Sequence, residues 1–268
     1  MIIGNRNFDT EHHTYVMGIL NVTPDSFSDG GNYTDIDVAL KQVGQMIADG
    51  ADIIDVGGES TRPGYVRISD EEEIERVAPV IERITREYDI PVSLDTYKSK
   101  VASAGISAGA DLINDIWGLK ADSAMADVIA ANKVACCLMH NREEMDYQSF
   151  VDDVVSDLKQ SVKLALEAGV DRDKIMLDPG VGFAKDVKQN LKIIQRMDSI
   201  SELGYPVLLG TSRKSVIGLT LDVPVGERLE GTLATTVWAV MNNIAFVRVH
   251  DVLSNVRAVK MAEAIRDI

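Results

Sequence analysis

Eight times along this chain a short run rich in Val, Ile and Leu stops at a residue able to handle a polar ligand. The stops are Asn21, Asp55 with Gly57, Gly58 and Glu59, Asp95, Asn114 with Asp115, His140, Asp178, Ser212 to Ser215, and Arg248 with His250 and Asp251. The cations suit an anion. Arg62 lies in the loop after the second run, Arg213 and Lys214 follow the seventh, and Arg248 and His250 fall on one side of the extended segment Val247-Arg248-Val249-His250-Asp251. A phosphate or diphosphate is the reading these positions favour, with ion pairs to the many Asp and Glu as the alternative. The second group, Asp95, Asn114, Asp115 and Asp178, suits a neutral heterocycle whose edge carries N–H and C=O groups, because Asp accepts and Asn both accepts and donates. The alternative is a structural role for each. Asn21 could give one oxygen to Mg²⁺, which tolerates a single protein ligand when waters and substrate phosphates complete its octahedron, although nothing in the spacing demands it. His140 is either part of the same site or a capped strand end.

These residues need elements that bring them together. Between consecutive apolar runs lies a segment of helical periodicity, so the chain reads strand-helix eight times, the pattern of an α/β fold built as one (β/α)8 TIM barrel over residues 1–268. The C-terminal ends of such strands share one face, and residues from eight places converge there on a single mouth, the expected active site. The strands are continuous apolar runs, as strands buried on both faces are. In the first helix Thr34 reads as the N-cap with Asp35 and Asp37 in the first turn, Ile36, Leu40, Val43 and Ile47 as one stripe, and Gly50 as the stop. Ser69 with Glu72 reads as a capping box ahead of the stripe Ile74, Val77, Ile81 and Ile84. Later helices are expected at 98–108, 122–132, 149–168, 186–203, 227–243 and 253–267. Two segments, Asn21 to Asn32 and Gly57 to Ile68, are too long and Gly-rich for plain strand-to-helix turns. They read as functional lids, as poorly ordered loops or as both, against the alternative of ordinary surface loops.

With 268 residues, 46% of them hydrophobic, the chain fits one barrel and leaves little for a second domain. Its formal net charge of -15 disfavours nucleic acid and anionic lipid, which bind mainly through exposed Lys and Arg. No apolar stretch approaches the roughly 20 residues that span a bilayer, and Met1 begins a short polar lead-in in which His12 and His13 are expected to be solvated. A soluble cytoplasmic protein is expected. Cys136 and Cys137, adjacent in the fifth run, would point to opposite faces of a strand; they fit neither a metal site nor a structural disulfide and read as small buried residues.

Five segments are more specific. Met17-Gly-Ile-Leu-Asn-Val-Thr-Pro-Asp-Ser-Phe-Ser-Asp-Gly-Gly31, Asp55-Val-Gly-Gly-Glu-Ser-Thr-Arg-Pro-Gly64, Asp178-Pro-Gly-Val-Gly-Phe183, Ser212-Arg-Lys-Ser215 and Arg248-Val-His-Asp251 resemble, in family order, the motifs of the dihydropteroate synthases. The resemblance runs from about residue 15 to the C-terminus. It implies a TIM-barrel enzyme of folate synthesis, usually a homodimer, that joins p-aminobenzoate to 6-hydroxymethyl-7,8-dihydropterin diphosphate and releases diphosphate and 7,8-dihydropteroate. Residue by residue, it implies pterin contacts at Asp95, Asn114, Asp178 and Lys214, and diphosphate contacts at Asn21, Thr61, Arg62, Arg248 and His250, with Mg²⁺ on Asn21. It also implies that Phe27, Pro63, Lys214 and Ser215 surround p-aminobenzoate and, by extension, sulfonamide drugs. Asp95, Lys214, Arg248 and His250 are the residues it implies for catalysis.

The chemistry explains these types. Breaking the bond between the pterin methylene and the diphosphate leaves positive charge on the pterin and adds negative charge to the leaving group, and both must be stabilised at once. Asp95 and Asp178 fall on the cation side, while Mg²⁺, Arg62, Arg248 and His250 fall on the anion side. The arylamine nitrogen then attacks the electron-poor methylene. No side-chain nucleophile is required, in agreement with the absence of a Ser/His/Asp or Cys/His triad. A pterin-binding methyltransferase serving a corrinoid partner is the nearest rival; it would need neither the first loop nor Arg248 with His250. A non-catalytic pterin-binding paralogue would be expected to lose site residues, and here every matched position is filled.

Overall fold

The computed structural model describes residues 1–23, 32–60 and 67–268. It opens with a two-stranded antiparallel hairpin, β1 (Ile2–Ile3) and β2 (Arg6–Asn7). Strand and helix then alternate as β3 (Tyr15–Asn21), α1 (Asn32–Ala48), β4 (Ile53–Gly57), α2 (Asp70–Glu87), β5 (Val92–Asp95), α3 (Ser99–Ser107), β6 (Leu112–Asp115), α4 (Met125–Asn132), β7 (Ala135–Met139) and α5 (Phe150–Glu167). The second half follows as β8 (Ile175–Asp178), α6 (Val187–Gln195), α7 (Met197–Ser201), β9 (Leu208–Leu209), α8 (Ser215–Leu221), α9 (Leu229–Met241), β10 (Phe246–Val249) and α10 (Val252–Arg266). The eight parallel strands pair in the order β8-β7-β6-β5-β4-β3-β10-β9, and a parallel bridge between Leu177 and Val207 joins the two ends. The alternating elements therefore form the expected TIM barrel.

Successive strand side chains point in opposite directions, and this alternation sorts the chain into layers. Ile54, Val56, Leu94, Ile113, Leu138 and Val247 belong to the cluster between the strands and the helices. Met17, Ile53, Leu112, Cys137, Met176 and Phe246 fill the lower interior, joined there by Ile3 and Phe8. The N-terminal lead-in is thus a hairpin that seals the bottom of the barrel. Phe8 sits 4.7 Å from Tyr15 edge-on and 5.7 Å from Phe246, ring centroid to centroid. Cys136 lies in the outer cluster and Cys137 in the inner one, both free and buried, on opposite faces as their adjacency predicts.

Several local expectations are corrected. Ser69 caps α2 by accepting from the Glu72 amide at 3.1 Å, but the Glu72 carboxylate pairs with Arg76 one turn on, so only half of a capping box forms. The reciprocal box stands at α6, where Asp186 and Gln189 exchange bonds. Helix α1 begins at Asn32, ahead of Thr34. The segment 186–203 breaks at Arg196 into α6 and α7, and α8 is too short for its period to register in the sequence. His12 is solvated, whereas His13 bonds Glu263 at 2.8 Å.

If the hairpin plug carries a share of the core, Phe8→Ala should cost about 3–5 kcal/mol, the usual loss for removing a buried ring. Urea denaturation measures it. A loss below about 1 kcal/mol would mean that the lower barrel is sealed without the hairpin.

Candidate active site

One row of strand register crosses the mouth: Asn21 is paired with Gly57, Gly57 with Asp95, and Asp95 with Asn114. All four face inward: Asn21, Gly57 and Asn114 lie two or four residues beyond Met17, Ile53 and Leu112, and Asp95 lies two beyond Ser93, whose hydroxyl reaches inward Asp55. Gly57 has no side chain to fill the row. A Cβ there would lie 3.8 Å from Asn21 Oδ1 and 3.9 Å from Asp95 Oδ2, so the two oxygens flank one open space. Asp178 ends β8, and Lys214 forms the N-cap of α8. Arg248 points inward from β10, next to β3.

The polar residues are cross-braced. Arg248 donates from Nε to Asp55 Oδ2 at 2.6 Å and from Nη2 to Asp95 Oδ2 at 2.8 Å, while Ser93 Oγ donates to Asp55 Oδ1 at 2.5 Å. Burial alone would lower the Arg248 pKa, but Asp55 and Asp95 hold it above the ordinary value. Burial pushes Asp95 up to about 7, with Arg248 opposing and Asp55 adding to the rise. Its second oxygen, Oδ1, is buried without a hydrogen-bond partner among the described residues. Such an acceptor matches a ligand N–H. Asp178 accepts from the Gly180 amide at 2.7 Å; burial raises its pKa and Lys214 opposes the rise. Lys214 is itself brought down by burial to about 8. Its Nζ donates to Val181 O at 2.5 Å and stands 4.8 Å from the centre of the Phe183 ring.

At the end of β10, Ser212 Oγ accepts from the His250 amide at 3.1 Å and lies 3.0 Å from Nδ1. That hydroxyl accepts the first bond, and its remaining lone pair or its proton can meet Nδ1, according to the ring tautomer. Across the barrel, Tyr97, Ile116 and Met139 form a small apolar cluster with Trp117 and Phe183 against it. The mouth therefore has two sides. Acceptors over an apolar wall occupy β5 to β8, a setting for a flat polar ring. Asn21 and His250 occupy the neighbouring strands β3 and β10, on the side where an anion would sit.

Other expectations come out differently. Asp115 faces away from the mouth and accepts from the Trp117 and Leu119 amides at 2.8 and 2.7 Å, so it shapes its own loop. His140 is fully buried and is the capped strand end, 3.1 Å from Asp157. Arg213 pairs with Asp251 at 2.9 Å, the ion-pair alternative for that cation. Ser215 is exposed at the start of α8. Phe27, Thr61, Arg62 and Pro63 lie outside the described residues. Ile116 and Met139 escaped notice as site residues because they look like core, although each falls next to a polar strand end; Asp55 was among the polar stops, but its part as a partner of Arg248 was not foreseen.

A family model described as pterin binding enzyme matches residues 17–250. The chain belongs to the pterin binding enzyme family. It is 59% identical over 266 residues to a dihydropteroate synthase of Clostridium beijerinckii, covering 99% of both chains. A pterin binding enzyme of known structure, the dihydropteroate synthase of Clostridium difficile in the presence of pteroic acid, superposes with a TM-score of 0.94 at 48% identity, over 97% of this chain and 99% of that one. The Xanthomonas albilineans dihydropteroate synthase with 4-aminobenzoic acid gives a TM-score of 0.91 at 39% identity, over 96% and 94%.

Asp95 and Lys214, which titrate near neutrality, predict the pH dependence. Asp95 must be ionised to accept fully from a ligand, and it gains its proton as pH falls through about 7; Lys214 loses its charge as pH rises through about 8. The kcat/KM for the pterin substrate should therefore be bell-shaped, with limbs near those values, and Asp95→Asn should remove the acid limb. A flat profile between about pH 6 and 9 would reject both assignments.

Proposed function

We propose that this chain catalyses dihydropteroate synthesis, joining 6-hydroxymethyl-7,8-dihydropterin diphosphate to p-aminobenzoate with loss of diphosphate. The observation that carries the residue assignments is the unpaired Asp95 Oδ1 on a residue in register with Asn114, at a mouth that also holds the apolar cluster of Ile116 and Met139. The pterin lies on that wall, with its N–H edge on Asp95, Asn114 and Asp178 and with Lys214 at its rim. The leaving diphosphate lies toward β3 and β10. There His250 contacts it, and Arg248, which spends two of its five N–H donors on Asp55 and Asp95, has donors left for an anion. As the methylene–oxygen bond breaks, the carboxylates of Asp95 and Asp178 stabilise the positive charge that develops on the pterin, and the amine of p-aminobenzoate attacks. Thr61 and Arg62 complete the diphosphate side, and Phe27, Pro63 and Ser215 the p-aminobenzoate side.

Among the described residues no three His, Cys, Asp or Glu come together as a metal cluster. A lone carboxamide oxygen, Asn21 Oδ1, at the mouth fits an ion held mainly by substrate oxygens and water, as Mg²⁺ is. When bound, it would neutralise charge on the departing diphosphate.

We further propose a homodimer formed through α9 and α10, which pack side by side and leave Val237, Met241, Met261 and Ile265 exposed. Met261→Glu should then shift the sedimenting species to monomer. A cytoplasmic setting is in keeping with the two free cysteines. No helix among the described residues is long and apolar enough to cross a membrane.

The deciding experiment follows diphosphate release from the pterin diphosphate. Product should require both p-aminobenzoate and Mg²⁺, and methyl transfer from methyltetrahydrofolate should be absent. In the same assay Asp95→Asn keeps the shape but removes the charge, so turnover should fall on the order of 10²-fold while pterin affinity changes much less. Intact turnover with collapsed affinity would reduce Asp95 to a binding residue.

A further inference from the structure

The loop 178–186 carries Asp178 and Phe183 to the mouth along an irregular path, with positive φ at Gly180, Gly182 and Ala184. Its carbonyls have no helix or ladder to join and need other donors. Val181 O takes Lys214 from the mouth side. From behind, Lys185 Nζ donates to Gly180 O and Phe183 O, each at 2.9 Å, and lies 2.8 Å from His140 Nδ1. His140 in turn has Nε2 3.1 Å from Asp157 Oδ2, which also accepts from Arg142 Nε at 2.6 Å. Burial and the charge of Lys185 bring His140 down to about 3, so the ring is neutral and one nitrogen donates while the other accepts. Asp157 can only accept when ionised, so Nε2 carries the proton and Nδ1 receives from Lys185. Burial brings Lys185 itself down to about 7, and in its protonated form all three ammonium hydrogens are then used. Loop and strand end form one unit: the His140 amide donates to Asp178 O at 2.9 Å, and a Cβ on Gly180 would lie 1.9 Å from His140 O.

We propose that Lys185, oriented through His140 by Asp157 and Arg142, is a positioning residue for the pterin side of the reaction: it holds the loop so that Asp178 and Phe183 face the ring. This rests on the reading of the mouth as a pterin site. When protonated, Lys185 also favours the ionised form of Asp178, the form that accepts from ring N–H groups. Nothing here touches substrate, so the effect must pass through loop geometry, where displacement of about 1 Å can cost on the order of 10²-fold in rate.

Lys185→Met, His140→Leu and His140→Gln are to be compared with the parent in steady-state kinetics for both substrates, in titration with a free hydroxymethyl pterin, and in thermal unfolding. Lys185→Met is expected to raise the KM for the pterin diphosphate and lower kcat/KM on the order of 10²-fold, leaving the KM for p-aminobenzoate within about twofold. His140→Leu should do the same to a lesser degree. Glutamine offers an oxygen to Lys185 and an N–H to Asp157, so His140→Gln should restore most of the pterin affinity. Variants that unfold cooperatively and bind the free pterin as the parent does would overturn the proposal, as would equal rises in both KM values. If Lys185→Met does not fold, the contrast between His140→Leu and His140→Gln decides. A parent that releases no diphosphate would overturn the reaction assigned to the mouth, and the free-pterin titration would still judge the brace.

Discussion

Arg248 reaches across the upper barrel from β10 to carboxylates on β4 and β5, and the geometry of the mouth follows from that brace. Burying one guanidinium with two carboxylates gains little net stability, because desolvation cancels most of the attraction. Its effect is positional. One oxygen of Asp95 is held by the guanidinium, which fixes the carboxylate, and the other is left at the mouth without a partner among the described residues. A carboxylate both immobile and half-satisfied is costly in a resting protein and useful to a ligand that brings an N–H. Asp55 secures the far side of the guanidinium and is itself tied to Ser93.

The brace depends on what lies beneath it. On four of the strands the inward positions change from apolar to polar within two residues: Ile53 to Asp55, Leu112 to Asn114, Met176 to Asp178, Phe246 to Arg248. Below that boundary the interior is packed by buried side chains and closed by Ile3 and Phe8. Low polarity there strengthens the Arg248 contacts and raises the Asp95 pKa by the same physics. A barrel open at the bottom would weaken both.

Fold and site were legible to different depths. Eight apolar runs ending in polar residues were enough to infer the barrel, because burial on both faces leaves a long compositional mark. Asp95, Asn114 and Asp178 stood out as strand ends. Asp115 was grouped with the mouth and His140 was left open between the mouth and a capped strand end; the two-residue alternation, counted from Leu112 and from Cys137, turns both outward. Asp55 stood out as a polar stop, but its role in holding Arg248 was not legible, because a pairing has meaning only through its partner and Arg248 lies 193 residues away. Lys185 was hidden for a related reason: its partners are two carbonyls and a histidine, and carbonyls carry no sequence signal.

The charge balance of the mouth bears on how the proposed reaction divides its work. Asp55, Asp95 and Asp178 against Arg248 and Lys214 are three negative and two positive groups, a sum of -1 when all are ionised. A pterin that gains positive charge as its bond to diphosphate breaks is therefore entering a site preset for it, without side chains having to reorganise. The same surplus works against the diphosphate, which is a polyanion. Arg248 is already shared with two carboxylates. The anion side thus needs positive charge that the barrel wall does not supply, and the sequence offers Arg62 in the loop after β4 and, at Asn21, an oxygen suited to Mg²⁺. On this view the wall holds the pterin and stabilises its cation, while groups that arrive from the loop and with the substrate handle the leaving group.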